Sequence, residues 1–207
     1  MRVPQNLSEV TIDKYIKAID IIENEDIDLG IMLRLLNLFT GKSIEQLMEY
    51  PLAELDKNYQ QIAKVLNEKP KFQKTFFLDG KEYGFIPNLE QMKSGEYIDL
   101  TNNLGKDILA AMAVMYRPIT RKFKDVYDIE KYKGTDDKEI FKNAPISVYL
   151  GAQVFFLNLT NDLLKLMPQF LEQELTEEQK ADLERNGVGL SQLKELAESI
   201  DLHPMKS

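Results

Sequence analysis

A single histidine, His203, is the one side chain here whose ordinary pKa lies near neutrality, and cysteine is absent. A catalytic histidine needs a second group to orient it and a pocket to tune it. His203 stands near the C-terminus between Leu202 and Pro204, so it reads as a solvated side chain rather than a general base. Without thiols there are no disulfides, thiolate nucleophiles or cysteine-held metals. Asp136, Asp137 and Glu139 offer the oxygen ligands that Mg²⁺ favours, but they lack the alternating acids, central glycine and terminal glutamate of a calcium loop. Beside Gly134 they read as acids that start a helix or solvate a loop. Gly80, Gly84, Gly95, Gly105 and Gly134 are isolated, so no loop cradles a phosphate, and no motif places a base beside a serine. The expectation is a chain with no catalytic residue, no metal site and no cofactor.

The residue types that grip other proteins are better represented. Tyr116-Arg117-Pro118, followed by Arg121, Tyr127 and Tyr132, concentrates tyrosine and arginine, the types enriched at binding hot spots. Two readings stand side by side: a protein-binding surface, or tyrosines that seal the edge of the core with their hydroxyls in water. Phe155-Phe156 poses a similar choice. Neighbours on a helix point about 100° apart, so both rings are buried only where the helix is surrounded. The surrounding elements can be the chain itself, a second copy or a partner helix.

Positioning these residues requires mostly helices. Thr11 can cap a helix with Ile12, Tyr15, Ile16, Ile19 and Ile22 on one stripe. An acidic break, Glu23 to Asp28, precedes a second helix ending near Phe39, with Gly41 placed for a left-handed cap. Ser43 with Gln46 is a capping box for a third helix. Pro51 suits the first turn of a fourth, along which Leu52, Leu55, Tyr59, Ile62 and Leu66 form a stripe. The pattern then changes. Phe72 to Leu78 and Lys81 to Ile86 flank Asp79-Gly80, a hairpin turn signal, and the hairpin ends at Pro87. Short helices are expected near 89–92 and 95–104, then one from Gly105 to Met115 that Pro118 stops. Residues 119–134 read as an extended segment that either pairs with the hairpin or lies over the helices. Pro145 opens the longest helix, reaching about Met167 and apolar nearly all round in its first half.

The fold expected is therefore mainly α with a small β-hairpin element, an α+β arrangement around a bundle-like helical core. Residues 1–167 form a mainly helical domain with its hairpin near 72–87, and 168–207 form an acidic helical appendage, expected to be mobile. From Pro168 onward there are nine acids against four bases, so most of the net charge of −8 lies there. A surface of that sign repels nucleic-acid backbones, and the most basic stretch, Arg117 to Lys142, is interleaved with six acids. Nucleic acid is not an expected partner. Arg2 is followed by no apolar run, so no signal peptide is expected. Ala144 to Leu159 falls short of the roughly 20 apolar residues a membrane helix needs, and it contains Ser147, Gln153 and Asn158. Membrane is not an expected partner either.

The order of features is similar to a known family. Leu38-Phe39-Thr40-Gly41-Lys42-Ser43 lies in the N-terminal helical unit, and Asp79-Gly80-Lys81-Glu82-Tyr83 in the hairpin. Ser94-Gly95-Glu96-Tyr97-Ile98-Asp99-Leu100 follows, then Met115-Tyr116-Arg117-Pro118-Ile119 and Tyr127-Asp128-Ile129-Glu130-Lys131-Tyr132, before the near-apolar helix after Pro145. Over about residues 10 to 165 this resembles the tail assembly chaperone-like proteins of tailed bacteriophages. The resemblance implies a non-enzymatic helper in the cytoplasm of an infected bacterium. Such a helper binds the tape-measure protein during tail assembly and is absent from the finished particle. It assigns no role to any single residue. Two other classes stay open: a structural tail or neck protein retained in the virion, and an enzyme with a carboxylate site whose mark is a deep polar pocket of converging acids. Self-association through the helix carrying Phe155 and Phe156 also stays open.

Overall fold

Several helices in this chain begin where a side chain accepts a backbone N–H that the first turn leaves free. In the computed structural model, which describes residues 1–23 and 29–159, Thr11 Oγ1 accepts from the Lys14 N–H at 3.3 Å. That bond opens α1 (Ile12–Glu23). Of the acidic break expected over 23–28, Glu23 closes α1 and the rest lies outside the described residues. α2 (Leu29–Thr40) ends at Gly41, whose φ of +72° is the left-handed cap anticipated. Ser43 and Gln46 form a reciprocal capping box at α3 (Ile44–Met48). Pro51 takes the N-cap of α4 (Leu52–Leu66), one place earlier than its expected first-turn position.

The hairpin forms as read. Asp79 and Gly80 have φ of 47° and 77°, the paired left-handed conformation that matches strand twist. They join β1 (Thr75–Leu78) to β2 (Lys81–Phe85) in antiparallel register. The helix expected at 89–92 is a single 3-10 turn, Leu89–Gln91. α5 (Ser94–Asn103) and α6 (Ile108–Met115) follow. Asp107 caps α6, accepting the Ala110 N–H at 3.0 Å.

Pro118 ends α6 as expected, but the chain does not pass into a loop. It enters β3 (Tyr116–Phe123) directly, pairs antiparallel with β2, and turns into β4 (Val126–Ile129). The hairpin thus gains two strands, giving a four-stranded antiparallel sheet in the order β1-β2-β3-β4. A lone hairpin would be marginal in water; four strands with one apolar face are not. The architecture is mainly helical with a small antiparallel sheet, an α+β fold.

The inward face of that sheet is a ring cluster. Tyr116 meets Phe76 and Phe85 edge-on at 5.3 and 5.4 Å, Phe85 meets Phe72 at 4.9 Å, and Tyr83 meets Phe141 at 5.5 Å. Aromatic rings prefer such edge-to-face approaches because the ring edge is positive and its face negative. Below the cluster runs α7, helical from residue 146 through 159, the last described residue. Ile146, Val148, Tyr149 and Ala152 are fully or almost fully buried. A short antiparallel bridge fixes the entry to α7: the Ile12 N–H donates to Ala144 O at 2.9 Å and the Ile146 N–H to Val10 O at 2.8 Å.

The chain divides into two compact units, Met1–Gln153 and Val154–Ser207. Of the second, residues 154–159 are described and are helical. The expected boundary at 167/168, the acidic appendage and His203 lie outside the described residues. Among the described residues, no helix is long and apolar enough to cross a membrane.

Gly151 marks a close approach within the first unit. A Cβ added there would stand 2.3 Å from the backbone oxygen of Lys71, so α7 approaches the chain ahead of β1 with no room for a side chain. Gly95 in α5 faces open space. Gly151→Ala is expected to destabilise by about 1–3 kcal/mol, while Gly95→Ala raises stability by up to about 1 kcal/mol. Urea denaturation of both variants checks the contrast, and equal midpoints would count against the packing described.

Candidate interaction surface

Four of the seven side chains nominated for protein binding are engaged inside the fold. Tyr116 is 1% exposed, and its hydroxyl donates to Gln73 O at 2.7 Å. Burial holds that hydroxyl far above the ordinary tyrosine range, so it stays a neutral donor. The Tyr127 ring crosses the backbone of β2 at Gly84, where an added Cβ would fall 2.4 Å from a ring carbon. Its hydroxyl then reaches Phe85 O at 2.9 Å and Lys74 O at 3.2 Å. This tyrosine clips β4 across the sheet to the strand two places away.

Arg117 sits opposite Gly84 in the β2–β3 register, on the face turned from the ring cluster. It donates through both terminal nitrogens to the Glu96 carboxylate of α5, each bond 3.4 Å, and both side chains are largely buried. Tyr132 lies beside the guanidinium, 5.7 Å from ring centroid to Arg117 Cζ, and donates to Asp99 Oδ2 at 2.6 Å. Burial first, and then the hydrogen bond to Asp99, raises the Tyr132 hydroxyl well above its usual range. Glu96 and Asp99, one turn apart, therefore fasten α5 to the sheet and to the segment following β4. Arg117 Nε is buried without a hydrogen-bond partner among the described residues. Such a group makes the junction sensitive to loss of either partner. Sequence reading did not single out Glu96. Its only signal was the spacing Glu96, Asp99 on one helical face.

The remaining nominees sit elsewhere. Arg121 is open to solvent and pairs with Asp128 at 2.8 Å along the β3–β4 ribbon. Phe155 and Phe156 are half-buried in the second unit and meet edge-on at 5.6 Å. At the ribbon's tip Phe123 and Val126 face each other across the turn, 76% and 74% exposed. Asp136, Asp137 and Glu139 are local: Asp137 precedes the 3-10 helix Lys138–Asn143, and Glu139 pairs with Lys142.

Part of the apolar surface left uncovered lies on α1, where it lines a groove. The stripe read from the sequence as core is only partly so: Ile12 is buried, Tyr15 and Ile19 are half-buried, and Ile16 and Ile22 are each 41% exposed. With Ile108 and Leu150, the residues Tyr15, Ile16 and Ile19 line an open groove of about 540 Å³. Its floor is polar at one end. Tyr149 accepts the Gly105 N–H at 3.0 Å, and Asp107 is paired with Lys138 at 2.7 Å. Desolvation opposes ionisation of Asp107, yet the bonds from Lys138 and from the Ala110 N–H outweigh it and hold the carboxyl below its usual range. Periodicity marks a face as apolar without telling which neighbour covers it, so the sequence could not separate this groove from core.

No protein-family model, curated protein or solved structure matches the chain. The likeness to phage tail assembly chaperones stands on the quoted residues alone.

Removing one partner of a buried pair strands the other charge, whereas replacing both with apolar groups does not. Glu96→Ala is expected to destabilise by about 3 kcal/mol, and Glu96→Leu combined with Arg117→Met to recover most of that loss. A Glu96→Ala loss below about 1 kcal/mol in urea denaturation would show that the pair does not anchor α5.

Proposed function

We propose that this protein is a non-enzymatic assembly helper of the tailed-phage type that holds an amphipathic helix of a tape-measure protein until the tail is built. The observation that carries the reading is the open isoleucine stripe of α1. A little over three turns of well-formed helix present Ile16, Ile19 and Ile22 at helical spacing, with Ile16 and Ile22 each 41% exposed and Ile19 half-buried. Isolated exposed apolar residues are ordinary on a protein surface; a periodic row lining a groove is the form of a helix-binding site. The groove is walled by elements set rigidly from below, α1 by the bridge at Thr11–Pro145 and α6 by its Asp107 cap. A preformed wall lowers the ordering cost of capturing a flexible helical client. The net charge of −8 keeps such a holder soluble while its client is not yet assembled.

Co-expression with a helical tape-measure segment tests this. The segment should become soluble and co-purify with the parent chain. Ile16→Asp together with Ile22→Asp should lose capture by roughly 100-fold in affinity, about 2.7 kcal/mol, while thermal unfolding stays close to the parent. A segment that stays insoluble with the parent, or that binds parent and variant alike, would contradict the reading.

A further inference from the structure

We infer that the corner between α3 and α4 is a second docking surface, built for a basic amphipathic helix. The inference rests on the proposed role as a polypeptide holder and adds the charge of what is held. α3 points one residue, Leu47, fully into the core. Ile44 and Met48, one turn apart, point outward at 38% and 70% exposure, and Leu52 follows at the start of α4 with 64%. A tight turn at 49–51 separates them, with the Tyr50 N–H donating to Leu47 O at 3.0 Å, so the three lie within a nine-residue stretch. A five-residue surface helix with its inward position already filled has no folding reason to carry isoleucine and methionine outward. Methionine is the apolar side chain that adapts most readily to varied partners.

The charges beside this patch have one sign. At 100° per residue, Glu45 and Glu49 fall on the helical sector next to Ile44 and Met48, and both are exposed. The Ser43 hydroxyl bonds Glu45 and holds its carboxyl below the usual range. The nearest base in sequence, Lys42, is drawn over the Tyr50 ring, 5.4 Å from its centroid. Asp56 and Lys57 on α4 offset each other. An apolar strip flanked by carboxylates that form no ion pair among the described residues complements a helix with apolar residues at i and i+4 and lysine or arginine on the adjoining sector. A membrane surface, whose anionic lipids repel such a rim, does not fit.

The probe is a synthetic amphipathic helix of leucine and lysine, with a leucine–glutamate helix of the same apolar pattern as its counterpart. Both are titrated into the full chain and followed by amide chemical shifts. The leucine–lysine helix should move signals of residues 44–52, and the leucine–glutamate helix should bind at least about tenfold more weakly. Met48→Ser with Leu52→Ser, which keeps the charges, and Glu45→Gln with Glu49→Gln, which keeps the apolar strip, should each weaken the lysine helix by about tenfold. All four positions are exposed, so unchanged spectra elsewhere establish that the variants fold. Ile16→Asp should leave this binding intact, so failure of the α1 reading is told apart from failure here. Equal binding of the two helices, equal binding to parent and both double variants, or shifts confined to other residues would overturn the inference.

Discussion

Everything in Met1–Gln153 is referred to one short, almost side-chain-sealed segment, residues 144–152. Close packing without voids leaves such a segment no slack. Three separate parts of the chain are fastened to it by different means. The N-terminal stretch bridges to it through Val10 and Ile12. The strand-leading residues 71–73 lie against Gly151, and Gln73 Nε2 bonds Ser147 Oγ at 3.2 Å. The turn before α6 meets it through Tyr149 and Gly105. Contacts this distant in sequence form only together, so the helices and the sheet are parts of one cooperative unit. An apolar helix whose sequence fits either a core or an assembly interface is here the internal post around which the rest is hung.

The sheet repeats that logic on a smaller scale. Its inner face is stitched by rings, and its outer face by one buried ion pair and two tyrosine hydroxyls. Tyr127 passes over the gap that Gly84 leaves, and Arg117 reaches Glu96 from the same register position. Residues that look like binding hot spots are thus used to hold α5 and β4 in place. Tyrosine and arginine serve both purposes, because each joins a large apolar body to a polar tip that needs a partner when buried. Aliphatic side chains remain outward on α1 and at Ile44, Met48 and Leu52, and rings remain outward at Phe77, Tyr97 and Phe123.

Much of the local structure was legible because it is written in short-range chemistry. Ser43 with Gln46, Asp79-Gly80, Gly41 and Pro118 each act over a few residues, and each appears where its chemistry requires. The third and fourth strands were less legible. Tyr116 to Ile129 carries Pro118 and a charged run, Arg121-Lys122, which dilute the strand pattern, and its pairing with β2 is a long-range choice. The ion pair of Glu96 with Arg117 joins residues 21 apart in sequence, and no local pattern announces it. The α1 stripe was legible as apolar but not as open, since its cover is a property of the whole fold.

The central claim is that the isoleucines on the outer face of α1 take a helix from another polypeptide while the buried isoleucines only maintain the fold. Methyl-labelled isoleucine spectra of the full chain, alone and with a helical tape-measure segment, test it directly. The account predicts that the methyl signals of Ile16, Ile19 and Ile22 shift on addition while those of the fully buried Ile12, Ile62 and Ile146 stay in place. Signals of the buried set moving while the α1 set stays unchanged, or no movement at all at saturating segment, would contradict it.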